Sequence, residues 1–168
     1  DVSNKNMQNS VFGIDGQMRF WGNSSVSAWY GQVQDSEFDT PSSASMIMMD
    51  LRNDRYFFRT GQHRVDKEFH PALGFVQRTD MIGTGFIAGF TPRVGDGDEL
   101  IRQWSFSLYA RDVKNHSGIT ETGILQFSID AFLETRDKIG FKISQNKEKL
   151  AQGFILGNGV EIANGDYK

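Results

Sequence analysis

Apolar and polar residues alternate with a period of two along most of the chain, which is the spacing that sorts side chains onto the two faces of a β-strand. Between residues 11 and 21, Phe12, Ile14, Met18 and Phe20 fall on one face and Asp15, Gln17 and Arg19 on the other. Gly22-Asn23 reads as a turn, and 25–34 as a return strand with Val26, Ala28 and Tyr30 together. A loop of Asp, Ser, Pro and Thr covers 35–44, after which Ile47, Met49 and Leu51 oppose Met48, Asp50 and Arg52 in 45–52. Asn53-Asp54 is a tight-turn signal. It leads into 55–62, where Tyr56, Phe58 and Thr60 oppose Arg55, Phe57 and Arg59.

An irregular, charged stretch runs to about residue 80. In 81–91, Ile82, Thr84, Phe86, Ala88 and Phe90 then line one face, and Gly83, Gly85, Ile87 and Gly89 the other. In 100–112, Leu100, Trp104, Phe106, Leu108 and Ala110 oppose Gln103, Ser105, Ser107, Tyr109 and Arg111. Asn115-His116-Ser117-Gly118 turns the chain into 119–134, where Leu125, Phe127, Ile129, Ala131 and Leu133 share a face. Arg136-Asp137 turns it again, and 138–146 alternates Ile139, Phe141 and Ile143 with Lys138, Lys142 and Ser144. The one helical candidate, 144–152, is short and mostly polar. The pattern therefore predicts an all-β protein, an antiparallel up-and-down meander of about eight to ten strands.

Strand length adds to this. Strands of soluble proteins average about five to six residues, whereas a membrane-crossing strand needs about nine to eleven. The segments 11–21, 81–91, 100–112 and 119–134 all reach that length. Apolar residues outward with small and polar ones inward suit a transmembrane barrel, with Phe20, Trp21, Tyr56, Phe90 and Tyr109 as girdle aromatics. A soluble barrel or sandwich gives the same alternation with the faces exchanged, so the pattern leaves both open.

Composition narrows the function classes. The chain has 168 residues, with 18 Lys and Arg against 21 Asp and Glu, which excludes a broadly basic nucleic-acid binder. It contains no Cys, which removes disulfides, thiolate metal sites and cysteine nucleophiles. No apolar run approaches a membrane helix, and the polar segment 1–10 lacks a signal-peptide pattern. A first residue of Asp favours a mature fragment or an excerpt of a longer chain, so 1–168 is expected to be one β-barrel-like domain or part of a larger one.

Candidate chemistry is sparse. His63, His70 and His116 are not at metal-ligand spacing. Asp96, Asp98 and Glu99 offer oxygen ligands for Ca²⁺ but lack the full binding-loop pattern, and read as an acidic turn. No metal or other cofactor is expected. A glycosidase needs two carboxylates about 5–9.5 Å apart. Asp130 and Glu134 on one strand would be about 13 Å apart at the backbone, and Asp50 could face Asp130 only across a barrel. No catalytic residue is assigned. Trp21, Trp29 and Tyr30 are the candidate sugar-stacking residues, while Trp104, beside Phe106 and Leu108, belongs to a core or lipid face. Arg78 and Asp80 are two apart and would share a face on a strand.

Two stretches carry a resemblance. Phe69-His70-Pro71-Ala72-Leu73-Gly74-Phe75-Val76-Gln77-Arg78-Thr79-Asp80 is similar to a Phe-x-Pro-Glu-Leu-Gly-Phe-Val-Pro-Arg-Thr-Asp motif. Gly157 to Tyr167 is similar to a Pro-Gly-Val-x-Ile-Pro-x-Gly-x-Tyr segment. Both belong to the domain of unknown function 5916 family, which the chain resembles over nearly its whole length, departing at Gln77, Asn158 and Asn164. The resemblance implies a middle portion of an outer-membrane-type β-barrel of Gram-negative bacteria, which follows a family-9-like carbohydrate-binding domain. It assigns no catalytic residue, and Gly74, Phe75, Val76, Arg78, Thr79 and Asp80 are expected to be structural. The sugar-binding role of the preceding domain does not transfer to these residues.

The leading expectation is thus a barrel segment of the bacterial outer membrane or cell envelope. It would act as anchor or pore for a carbohydrate-related protein, in contact with lipid and pairing with missing strands or other chains. The rival is a soluble β module that binds a glycan or an apolar ligand. A glycoside hydrolase component is the third.

Overall fold

Six of the eight long strands are longer than the alternation alone marks out. The computed structural model describes residues 8–94, 100–150, 153–157 and 159–168. Eight long strands run in chain order: β1 (Asn9–Phe20), β2 (Ser24–Asp35), β3 (Ser42–Arg52), β4 (Tyr56–Val65), β5 (Met81–Phe90), β6 (Ile101–Lys114), β7 (Thr120–Leu133) and β8 (Lys138–Leu150). Each pairs antiparallel with the next. Two short pieces, β9 (Phe154–Ile155) and β10 (Glu161–Ile162), form a separate hairpin. β11 (Gly165–Tyr167) joins the main sheet beside β8, pairing with residues Glu148 to Leu150.

The result is a nine-stranded all-β meander. Among the described residues it is an open sheet, with β1 at one edge and β8 and β11 at the other, so the barrel expected from the sequence is not closed within them. The segment with weak helical character at 144–152 continues β8 as far as Leu150. No helix among the described residues is long and apolar enough to cross a membrane, which says nothing about crossing by strands. The acidic turn 95–99 lies outside the described residues.

Register places whole rows of side chains on one face. Leu51, Phe58, Ala88, Leu108, Phe127 and Ile143 are successive cross-strand partners from β3 to β8. Tyr56, Phe90, Phe106, Ile129 and Phe141 make the next such row. Toward the other end of the same face the row Gln62, Thr84, Asp112, Gly123 and Lys147 is polar. On the opposite face Ser25, Asp50, Arg59, Ile87, Tyr109, Gln126 and Ser144 are partners in turn. Tyr109 is therefore not a girdle residue. It stands mid-strand on the polar face.

The sheet curls around that polar face, since Trp29 on β2 and Glu148 on β8 line one common cavity there. The connection 66–80 folds into the hollow. Its Phe69 is buried with Val33, Ala44, Val65, Met81 and Val113, and Trp29 and Val76 pack against them. This small core lies wholly on the inner face. On the outer face Ala131 is the one buried apolar residue among the described residues, and Phe12, Ile14, Met18, Ile47, Phe141 and Ile143 are all exposed.

Backbone special cases follow the bends. Trp21 and Gly22 both have positive φ, 43° and 72°, so the β1–β2 turn begins one residue earlier than Gly22-Asn23. Gly89 is required by close packing. A Cβ there would run into the Phe57 ring and sit 2.9 Å from the Phe106 carbonyl oxygen, whereas one on Gly16 meets nothing within 4 Å. Gly89→Ala is expected to cost about 1–3 kcal/mol through overpacking. Gly16→Ala is expected to be neutral or stabilising by up to about 1 kcal/mol. Denaturant melts of the two variants against the parent check the contrast, and equal midpoints would refute it.

Candidate functional site

Two features of this fold have chemical consequences: the outer apolar band and the inner hollow with its inward-folded segment. The band covers the central and turn-side parts of all eight long strands, each ten to fourteen residues long. At the short-turn end aromatics stack along it. Tyr56 and Phe90 have ring centroids 5.0 Å apart, Phe90 and Phe106 6.5 Å, and Trp104 and Phe106 6.1 Å. Trp21, 83% exposed in the β1–β2 turn, meets Phe20 edge-on at 5.1 Å. Trp104 is thus part of the outer band.

The three sugar-stacking candidates do not converge. Trp21 is in the turn and Tyr30 is exposed on the outer face. Trp29 points inward, where its ring meets His63 at 5.6 Å. Only Trp29 lines the inner cavity of about 750 Å³ that lies between the sheet and the 66–80 segment.

That segment is fixed at several points. Asn9 Nδ2 donates to the His70 carbonyl, and Asn9 Oδ1 accepts from the Ala72 N–H at 3.1 Å. Asp66 Oδ2 accepts from the Ser43 N–H and from its hydroxyl at 2.7 Å. Arg78 and Asp80 do not pair with each other, because they lie in the connection and not on a strand. Arg78 pairs with Glu121 of β7. Asp80, at a positive φ of 52°, accepts from the His116 N–H, and His116 Nδ1 lies 2.8 Å from its Oδ1. His116 Nε2 is 3.3 Å from Asp66, so one imidazole bridges the two ends of the segment. Of the other motif residues, Gly74 donates its N–H to the Pro71 carbonyl at 3.1 Å, Val76 packs on the core, and Thr79 is half-buried. Phe75 is 91% exposed and lines the cavity.

Both ends of the latch are sensitive to acid. The His116 backbone N–H, followed by its ring, holds Asp80 below the ordinary value of 3.8. Burial raises Asp66, but the Ser43 hydrogen bonds and Arg64 outweigh it, and its net shift is also downward from 3.8. A carboxylate depressed in the folded state contributes stability that is complete above its unfolded value and is lost as pH falls through the folded one. Melting temperature is therefore expected to drop as pH falls below about 4. Asp80→Asn should flatten part of that drop, and an unchanged profile would count against the latch.

The remaining carboxylates considered for hydrolysis are held in ion pairs: Asp50 with Arg59 beside it, and Asp130 with Lys138 at 3.0 Å. Glu134 lies beyond the end of β7. Among the described residues no group of three His, Cys, Asp or Glu side chains is placed to hold a metal ion. Three participants escaped sequence reasoning as site residues: Glu121, His116 in its latching role, and Arg111. Alternation puts Arg111 on the polar face, but its place beside the cavity depends on the fold of 66–80. No model of a protein family, no curated protein and no solved structure matches this chain.

Proposed function

We propose that this chain is a wall segment of an outer-membrane-type β-barrel, acting as membrane anchor or pore of a bacterial envelope protein. The observation that carries this reading is the exposed apolar band, continuous through cross-strand partners from β3 to β8. Water would leave that area unfavourably hydrated at about 25 cal/mol per Å², whereas hydrocarbon solvates it. Strand lengths of ten to fourteen residues meet the span of a tilted bilayer-crossing strand, and aromatics at one border suit an interface. Backbone groups at open edges have no partner in lipid, so the barrel would be closed by strands pairing with β1 and β8. The link to carbohydrate and to the cell envelope rests on the resemblance of 69–80 and 157–167 to the domain of unknown function 5916 family.

Single-tryptophan variants test this reading, with the other two tryptophans changed to Phe. After refolding into vesicles, lipids brominated on their acyl chains should quench Trp104 strongly and Trp29 weakly. Equal quenching, or a detergent-free monomer with a cooperative melt, would defeat the membrane reading. The second reading, a soluble module holding a ligand, draws on the inner cavity and would follow from the latter outcome.

A further inference from the structure

We infer that the inner cavity is a binding site for a monoanionic organic acid with a flat apolar body. This goes beyond the membrane reading and does not depend on it. The volume, about 750 Å³, lies within the range of small-molecule sites. One side is apolar: Trp29, Phe69, Phe75 and Val76 line it. Phe75 is 91% exposed there, so a ligand laid against it removes apolar area that the fold leaves in water.

The other side supplies charge. Arg78 and Arg111 line the cavity together with one carboxylate, Glu148. Arg78 is already committed to Glu121. Glu148 accepts a hydrogen bond from Thr122 Oγ1 at 3.1 Å. Arg111 has no ion pair or hydrogen-bonded partner among the described residues, although its inner-face neighbour Tyr109 and cross-strand partner Gly85 belong to regular strands. A planar guanidinium with five donors and no partner is suited to a carboxylate held in two parallel hydrogen bonds. The acid would sit on Arg111 and its apolar body against Phe75 and Trp29.

The probe is 2-naphthoate, with neutral 2-naphthol as its control. Both are titrated calorimetrically into the full chain under the conditions in which it folds, with blank titrations into the solvent or micelles alone. Saturable binding of 2-naphthoate is expected. Arg111→Gln should weaken it by about tenfold or more, the size of a lost charge-assisted hydrogen bond. The same change should leave 2-naphthol affinity within about twofold, and Arg111→Lys should recover part of the loss. Phe75→Ala should weaken both probes, and because its ring is exposed it should leave the melt unchanged. Failure of 2-naphthoate to saturate, equal affinities for the two probes, or an Arg111→Gln variant that folds and binds unchanged would each overturn the assignment. None of these results bears on bromolipid quenching of Trp104, so the site and the membrane reading can fail separately.

Discussion

Phe127→Lys is expected to abolish stable insertion of the chain into lipid vesicles. Phe127 sits in the wholly apolar outer row, between Leu108 on β6 and Ile143 on β8. A lysine on the lipid face at mid-depth costs about 2–4 kcal/mol, and the cost fades to about 0–1 near the interface. Set against a total stability of about 5–15 kcal/mol, that is a large fraction. The depth dependence separates lipid from a covering protein. Gln62→Lys lies on the same face in the polar row and should be almost silent.

An inward control completes the set. Ser128 is a poor choice despite facing inward, because it is only 7% exposed and a lysine there would bury a charge. Ser144, exposed on the inner face of β8 opposite Gln126, is the better position. Ser144→Lys should insert like the parent. The measurement is the folded, vesicle-bound fraction after flotation, followed as a function of urea. If Phe127→Lys and Gln62→Lys shift the midpoint equally, the band does not face hydrocarbon.

The strands and their faces were readable in the sequence because one physical signal dominates them. Period-two alternation survives any change in what covers the sheet, so Leu125, Phe127, Ile129 and Ala131 had to share a side whether that side met lipid or a core. The orientation of that side was not readable. It depends on where the connection 66–80 goes, and that connection has no period. Its destination is decided by Phe69 entering the inner hollow and by His116 and Glu121, which come from elements more than 35 residues downstream of Asp80 and Arg78. Such pairings leave no trace in local spacing. For the same reason Arg78 and Asp80 were expected to share a face, when each in fact finds its partner across the hollow. The three sugar-stacking candidates met the opposite problem. They are close in sequence, but a turn and a one-residue offset send Trp21, Trp29 and Tyr30 to three different surroundings.

Phe69→Ala should release the inward-folded segment without dismantling the outer wall. The Phe69 ring is buried in the apolar cluster of the inner face, with its tip 3.8 Å from where a Cβ on Gly31 would stand. Gly31 leaves a bare patch of β2, and the phenyl ring covers it. Truncating a buried Phe to Ala costs about 3–5 kcal/mol from lost transfer energy and the cavity left behind. The cross-strand pairing of β2 to β6 does not need that ring, whereas the segment retains only polar anchors and Val76 once it is gone. Local opening should then be governed by the lost contact and not by global unfolding. Trypsin provides the readout, because Lys67 and Arg78 bracket the segment. Cleavage at these two sites should accelerate by two orders of magnitude or more, about 1.4 kcal/mol corresponding to each tenfold step. The β-type circular dichroism spectrum and the bromolipid quenching of Trp104 should stay close to those of the parent. Arg78→Ala, which loses only a part-exposed ion pair, should accelerate cleavage at Lys67 far less. Unchanged cleavage in Phe69→Ala would mean that the polar anchors alone hold the segment. Loss of the whole β spectrum would mean that the inner cluster, and not the strand pairing, is what organises the sheet.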